Sequence, residues 1–159
     1  MKRLLEFAAI AFLTVVASAP VLAQSNPVVG TWKLNLEKSK FNPGPAPKSL
    51  TRTVEAQGNG AKYTFDGIGG DGTAISYSFA ISFDGKENPI MGSMPSGADT
   101  IAIKRTDSNT FEATLTKAGK LISTSNVKVS QDGKVTIVTS KGTDKAGQPT
   151  TDVSVYGKQ

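Results

Sequence analysis

The side chains of this 159-residue chain narrow the chemistry it can perform before any fold is considered. The sequence contains no cysteine and no histidine. Ser-His-Asp and Cys-His nucleophile arrangements are therefore excluded, and so are ordinary zinc and copper sites, which depend on imidazole or thiolate ligands. Carboxylate chemistry, an activated lysine and a calcium site built from oxygen ligands remain open.

The aspartates give little support to those remaining kinds of site. Asp71, Asp84 and Asp132 are each followed by glycine, a pair typical of tight hairpin turns because glycine adopts positive φ without steric cost. A calcium loop needs several oxygen ligands at alternate positions, and no stretch here has that density. Nothing in the sequence places an acid in the apolar setting that raises its pKa for catalysis. We therefore expect no enzyme, no metal site and no cofactor.

Aromatic residues recur at every second position and suit an apolar ligand better than a reaction. The segment TAISYSFAISF places five apolar side chains on one face of a strand, and AKYTF and TFEATL repeat the alternation. The candidate ligand-binding residues on these faces are Tyr63, Phe65, Tyr77, Phe79, Phe83 and Phe111. The same side chains can equally fill the interior of a small barrel, and the pattern does not choose between lining and filling.

The chemistry of these faces predicts what kind of ligand they would take. On the central strand, the apolar face offers one hydroxyl group, on Tyr77, and no charge. A buried carboxylate without a partner is strongly unfavourable, so we expect a bound ligand to be neutral or weakly polar. Tight binding of a fatty acid would instead imply a hidden cation, for which Arg52 and Arg105 are the candidates.

The elements that must position these residues are short strands. Further alternating runs align pairs of apolar residues on predicted inner faces, namely Ile101 with Ile103, Val127 with Val129, Val135 with Ile137, and Val153 with Val155. Glycine- and asparagine-containing turns separate the runs, and no stretch is convincingly helical. We predict an all-β, antiparallel up-and-down meander closed into a small barrel of about 8–10 strands, because closure removes exposed strand edges.

The first 23 residues have the composition of a cleavable secretory signal. Lys2 and Arg3 precede a mostly apolar run from Leu4 to Val16, and Ala23 ends a stretch of small residues. We expect cleavage after Ala23, a single domain over residues 24–159, no membrane insertion after cleavage, and a periplasmic or secreted protein. Without residues 1–23 the net charge is about +4, and its dispersed distribution argues against a nucleic-acid partner. The sequence identifies no protein partner.

Gly30, Thr31 and Trp32 begin the first predicted strand, and this Gly-x-Trp triplet resembles the signature of lipocalins and fatty-acid-binding proteins, the calycin group. The segments GTWKLN and KSKF are followed by a proline-rich connector, and this order is similar to the one in small exported bacterial proteins described as lipocalin-like. The resemblance implies a calycin-like β-barrel that binds a small apolar molecule. It also implies structural roles for Gly30 and Trp32, with Trp32 packed across the closed end of the barrel.

Two positions depart from the fatty-acid-binding pattern. Those proteins hold a carboxylate with an Arg-x-Tyr pair in the last strand. Tyr156 matches the tyrosine and becomes a candidate ligand-binding residue, but Ser154 occupies the arginine position. Three prolines over residues 43–47 also favour extended chain where those proteins carry a helical lid, and we expect this connector to cross the mouth of the barrel. A filled barrel that acts as a structural or protein-interaction module is therefore the alternative.

Overall fold

The computed structural model describes residues 26–144 and 146–159, so the predicted signal over residues 1–23 lies outside the described part of the chain. Twelve strands follow one another: β1 (Gly30–Leu34), β2 (Lys40–Asn42), β3 (Ser49–Gln57), β4 (Gly60–Ile68), β5 (Ala74–Ile81), β6 (Asp84–Pro89), β7 (Met91–Ser93), β8 (Thr100–Arg105), β9 (Thr110–Lys117), β10 (Lys120–Val129), β11 (Val135–Thr143) and β12 (Pro149–Lys158). In these two ranges no helix is long and apolar enough to cross a membrane.

All twelve strands belong to one antiparallel sheet. Its order is β6-β8-β9-β10-β11-β12-β1-β3-β4-β5-β7, with β2 paired to β12. The two outermost strands of this order, β6 and β7, are consecutive in sequence and separated only by Ile90. Because β6 pairs with β8 and β7 pairs with residues 76–78 of β5, this segment joins the two edges of the sheet. The sheet is nearly closed into a barrel, and the predicted all-β fold is confirmed.

Strands of alternating direction give the barrel two different ends. The chain preceding β1 and the turns that join β3 to β4, β5 to β6, β8 to β9 and β10 to β11 lie at one end, called the closed end below. The proline-rich connector and the remaining loops lie at the other, the connector end. There Pro45 and Ala46 of the connector pack against Gly70 of the β4–β5 loop. The contact is so close that a Cβ added to Gly70 would lie 2.6 Å from the oxygen of Ala46 and 2.7 Å from the Pro45 side chain.

The closed end of the barrel is tightly packed. Trp32 is 0% exposed, and its Nε1 donates a hydrogen bond to the carbonyl oxygen of Val28 at 2.8 Å. The largest fully buried side chains all belong to this layer, and they are Trp32, Phe111, Val28, Val54, Val129 and Thr136. Trp32 is therefore part of the buried layer that fills this end of the barrel.

Gly30 has a backbone conformation and a neighbour that explain its place two residues before Trp32. Its φ is +135°, a value that disfavours residues with a Cβ. An added Cβ would lie 2.5 Å from Cε of Lys158, whose Nζ lies 5.3 Å from the centre of the Trp32 ring. Glycine therefore leaves room for the lysine side chain to pass beside the indole.

The inner faces of β11 and β12 differ from the prediction. Val135 and Ile137 are exposed, whereas Thr136 is fully buried. The register pairs Thr136 with Tyr156 and Ile137 with Val155, so that Val155 shares the outer face. The predicted inner faces of these two strands were therefore wrong. Both faces of each strand carry apolar residues, and the buried Tyr156 and Thr136 determine which of them faces inward.

Candidate ligand-binding site

Four of the predicted aromatic residues form one wall of the barrel interior. The register of β4 and β5 pairs Tyr63 with Phe79 and Phe65 with Tyr77. The rings of these pairs stack, with centroids 5.0 Å and 4.6 Å apart. Direct cross-strand partners share one face of the sheet, so the four rings form a continuous apolar surface, called the aromatic wall below.

The other two predicted aromatic residues lie apart from this wall. Phe111 is fully buried in the layer at the closed end, and Phe83 lies in the turn after β5 at that same end. Their ring centroids are 5.3 Å apart. These positions suit filling of the barrel end, whereas Tyr63, Phe65, Tyr77 and Phe79 border the middle of the interior.

Small hydroxyl side chains form a second wall across the barrel. Ser125, Ser140 and Ser154 occupy inward positions of β10, β11 and β12, and they are half-buried. The Oγ atoms of Ser125 and Ser140 lie 2.8 Å apart and share a hydrogen bond. This serine wall takes up little volume beside the aromatic wall.

The interior also contains a cation, Arg52, which is one of the two candidates that the sequence offered for a hidden cation; the inner face of the central strand β5 is uncharged, as expected. Arg52 of β3 pairs with Trp32 on one side and Phe65 on the other, and the residue is 4% exposed. Its Cζ lies 4.7 Å from the centre of the Tyr156 ring and 5.2 Å from that of Trp32. The alternation of Leu50, Arg52 and Val54 is the sequence signal that places this arginine on an apolar face.

Two nitrogens of the Arg52 guanidinium have no partner. Nε and Nη2 are buried and make no hydrogen bond within the described residues. In the same part of the chain the structure shows one ion pair, between Lys86 and Asp84, and none to Arg52. Buried polar groups in proteins are almost always hydrogen-bonded, so these two donors are open to an acceptor from outside the chain, such as a ligand or a water molecule.

Arg105, the other candidate for a hidden cation, does not enter the interior. It lies at the closed end, is exposed, and its guanidinium lies 5.3 Å from the Phe111 ring. Its Nε and Nη2 donate to the carbonyl oxygens of Asp107 and Ser108 at 3.2 Å and 2.7 Å. Its hydrogen bonds are therefore satisfied locally.

All three tyrosines of the sequence border the interior around Arg52. Burial raises the pKa of Tyr63 to about 12, against the opposing effect of the Arg52 charge. Burial likewise raises the pKa of Tyr77 and of Tyr156. For Arg52, burial lowers the pKa of the guanidinium and the neighbouring tyrosines oppose that shift. The phenols are therefore protonated at neutral pH and able to donate hydrogen bonds.

A second concave region lies on the outside of the barrel. It is a shallow depression of about 390 Å³, lined mostly by outward-facing residues of β9, β10 and β11 that include Glu112, Thr124 and Lys141. It lies on the opposite face of the sheet from Arg52. No group of three or more acidic side chains in the described ranges is placed to hold a metal ion.

Comparison with known proteins identifies the fold. No protein-family model matches the chain, and no curated protein shows a significant match. Nine chains of solved structures match. One of them is the zebrafish ileal bile acid-binding protein complexed with cholic acid, with a TM-score of 0.53 and 14% identity over 84% of this chain and 99% of that chain. At this identity the likeness shows a shared fold, and the predicted calycin-like barrel is confirmed.

Proposed function

We propose that this barrel binds a small hydrophobic molecule between its aromatic wall and its serine wall. The observation that carries this proposal is a gradient of burial along the barrel. The layer at the closed end is fully buried. Nearer the connector end, inward residues of β10 to β12 such as Val127, Val138 and Ser154 are only half-buried. A ligand that enters from the connector end would cover these accessible inward side chains.

The fold neighbour supports the same function. The zebrafish protein was solved as a complex with cholic acid, a small molecule with a large apolar surface. That protein is named as a binding protein, which supports a binding function rather than an enzymatic one for this chain. The basic start and apolar run of residues 1–23 support export to the periplasm or beyond. We therefore propose that a single barrel domain over residues 24–159 carries or sequesters its ligand outside the cytoplasm.

The alternative is a filled barrel that acts through its outer face. Close stacking within the aromatic wall already occupies part of the interior. Exposed Val135 and Ile137 on β11 would then contribute to a protein contact. A binding experiment distinguishes the two functions.

The test uses the neutral fluorophore N-phenylnaphthylamine and two variants at neighbouring positions of β10. Ser125 faces inward, so Ser125→Phe should obstruct the interior and weaken affinity by about tenfold or more. Thr124 faces outward into the surface depression, so Thr124→Phe should leave the affinity unchanged. Saturable binding with this pattern, measured by fluorescence titration, supports the proposed function.

Each other outcome has a definite meaning. Loss of binding in Thr124→Phe alone would place the site in the outer depression. If the wild-type protein binds no fluorophore and an organic extract of the native protein contains no ligand, the barrel is filled and the interaction function replaces the binding function.

A further inference from the structure

We propose that the ligand is an amphipathic acid whose carboxylate is bound by Nε and Nη2 of Arg52. This assignment rests on the binding function proposed above and specifies its ligand class. It replaces the neutral ligand expected from the central strand, because that expectation depended on an interior without a cation.

The geometry of the two free nitrogens indicates a carboxylate. Nε–H and one Nη2–H of an arginine point in the same direction along one edge of the planar guanidinium. This edge matches the two oxygens of a carboxylate and forms two parallel, charge-assisted hydrogen bonds with it. In Arg52 these are the two buried nitrogens to which residues 26–144 and 146–159 provide no partner. The rings of Tyr156 and Trp32 lie close to the same guanidinium, so the edge is what remains for a ligand.

The charges around Arg52 do not neutralise it. Lys158, an exposed residue whose Nζ lies 5.3 Å from the centre of the Trp32 ring, is another cation and not a counter-charge. Asp152 faces inward on β12, but its Oδ1 accepts a hydrogen bond from the backbone N–H of Asn42 at 3.0 Å. It lies four residues from Tyr156 towards the connector end, roughly 13 Å along the strand. A buried cation in this setting favours an anionic ligand, since an unpaired charge is costly in a low-dielectric interior.

The phenols complete the set of donors. Tyr63, Tyr77 and Tyr156 all interact electrostatically with Arg52. A carboxylate has about four lone-pair sites, of which the guanidinium edge uses two, and a phenol hydroxyl can donate to another. Arg52 and Tyr156 come from β3 and β12, on either side of β1. The two strands therefore bring an arginine and a tyrosine together in the interior. In this chain the arginine comes from β3, because Ser154 occupies the position in β12 where fatty-acid-binding proteins have theirs.

The test compares dodecanoic acid with dodecanol, which differ only in their polar end. Isothermal titration calorimetry of the wild-type protein at neutral pH should show the acid binding about tenfold more tightly or better, equivalent to about 1.4 kcal/mol. Arg52→Met should abolish that preference, because it lowers the affinity for the acid far more than the affinity for the alcohol. Arg52→Lys keeps the charge but loses the two-nitrogen edge, so it should retain only part of the preference. Arg105→Met, which removes the exposed arginine, serves as the control and should bind like wild type.

A spectroscopic measurement avoids dependence on the folding of the variants. Dodecanoic acid labelled with carbon-13 at its carboxyl group is bound to the wild-type protein. The NMR chemical shift of the labelled carbon is then followed as the pH is lowered. Contact with Arg52 should keep the bound carboxylate ionised below the pH at which the free acid protonates. A bound acid that protonates like the free one would contradict the assignment.

The outcomes separate this inference from the binding function itself. Equal affinity for the acid and the alcohol, or an acid preference that survives in Arg52→Met, overturns the carboxylate assignment and leaves a hydrophobic site intact. If the wild-type protein binds neither compound and no N-phenylnaphthylamine, both proposals fail together.

Discussion

Arg52 is a charged side chain that the fold buries, and no acidic residue in the described part of the chain pairs with it. Removing the Arg52 guanidinium from water costs free energy, and its cation–π contacts with the Tyr156 and Trp32 rings offset part of that cost. A cation–π contact away from water contributes about 2 kcal/mol. The remainder lowers the stability of the ligand-free protein, because an apolar side chain of similar volume would occupy the same place without that cost. Such a trade of stability for a binding group is common at functional sites.

The tyrosines lead to a prediction about alkaline pH. Burial raises the pKa of Tyr63 to about 12, whereas an unfolded tyrosine ionises near 10. Between these values the unfolded chain binds fewer protons than the folded one, so the free energy of unfolding falls as pH rises. We expect Tyr63 to contribute about 2–3 kcal/mol to the free energy of unfolding. This contribution is fully present below pH 10 and is lost by about pH 12. Guanidinium denaturation followed by circular dichroism across this range measures the loss.

Tyr63→Phe is the matched variant for that experiment. It removes the ionisable hydroxyl but keeps the ring, so its stability should fall less steeply with pH than that of the wild type. Because the sequence has only three tyrosines, ultraviolet difference spectra report on interior residues alone. Tyrosines that ionise near pH 10 in the folded protein would contradict their burial.

At the level of elements, β1 links the closed end of the barrel to the ligand site. Trp32 fills the end layer, donates to Val28 and lies beside Arg52. The resemblance of the triplet Gly30-Thr31-Trp32 to the calycin signature implied a structural role for Trp32. The presence of Arg52 beside it depends on the register between β1 and β3, which a sequence pattern of period two does not determine.

Trp32→Ala should therefore lower the free energy of unfolding by roughly 3–5 kcal/mol, as truncation of a large buried aromatic does. Circular dichroism is the appropriate probe, since the variant has no tryptophan left. Leu36→Ala, at a 43% exposed residue just after β1, is the control and should change stability by less than about 0.5 kcal/mol. A melting temperature of Trp32→Ala near that of the wild type would mean that this packing contributes little.

Other elements show where sequence patterns reach their limit. In β5 the alternating residues are apolar on one face only, and their inward orientation was predicted correctly. In β11 both faces carry apolar residues: Val135 and Ile137 are exposed, whereas Thr136 and Val138 face inward. Pairing with Tyr156 decides the outcome. The orientation of such a strand is set by its neighbours, which the local pattern does not contain.

For the whole molecule, closure of the barrel depends on one short segment. Strands β6 and β7 are nearly continuous in sequence, yet they pair with β8 and β5 at opposite edges of the sheet. Alternating strands and tight turns were enough to predict a closed meander. They could not predict which strands meet at the seam, because Met91–Ser93 is too short to show an alternation and lies in a stretch rich in turn residues.

Gly92 makes this seam testable. It faces Tyr77 across the β5–β7 pairing with a φ of +90°, and an added Cβ would lie 2.5 Å from the carbonyl oxygen of Ser76. Gly119, in the β9–β10 turn, has a φ of +74° and nothing within 4 Å of an added Cβ. Both alanine variants incur the penalty of a left-handed residue, about 1–2 kcal/mol. Only Gly92→Ala also forces the backbones of β5 and β7 apart.

We therefore expect Gly92→Ala to be less stable than Gly119→Ala by about 1 kcal/mol or more in chemical denaturation followed by Trp32 fluorescence. Hydrogen exchange should show that amides of residues 76–78 and 91–93 lose protection in Gly92→Ala and keep it in Gly119→Ala, because an opened seam exposes those backbone groups to water. Equal stability and unchanged protection would mean that the barrel stays closed without the β5–β7 pairing. In that case the contacts between β5 and β6, rather than β7, would hold the two edges together.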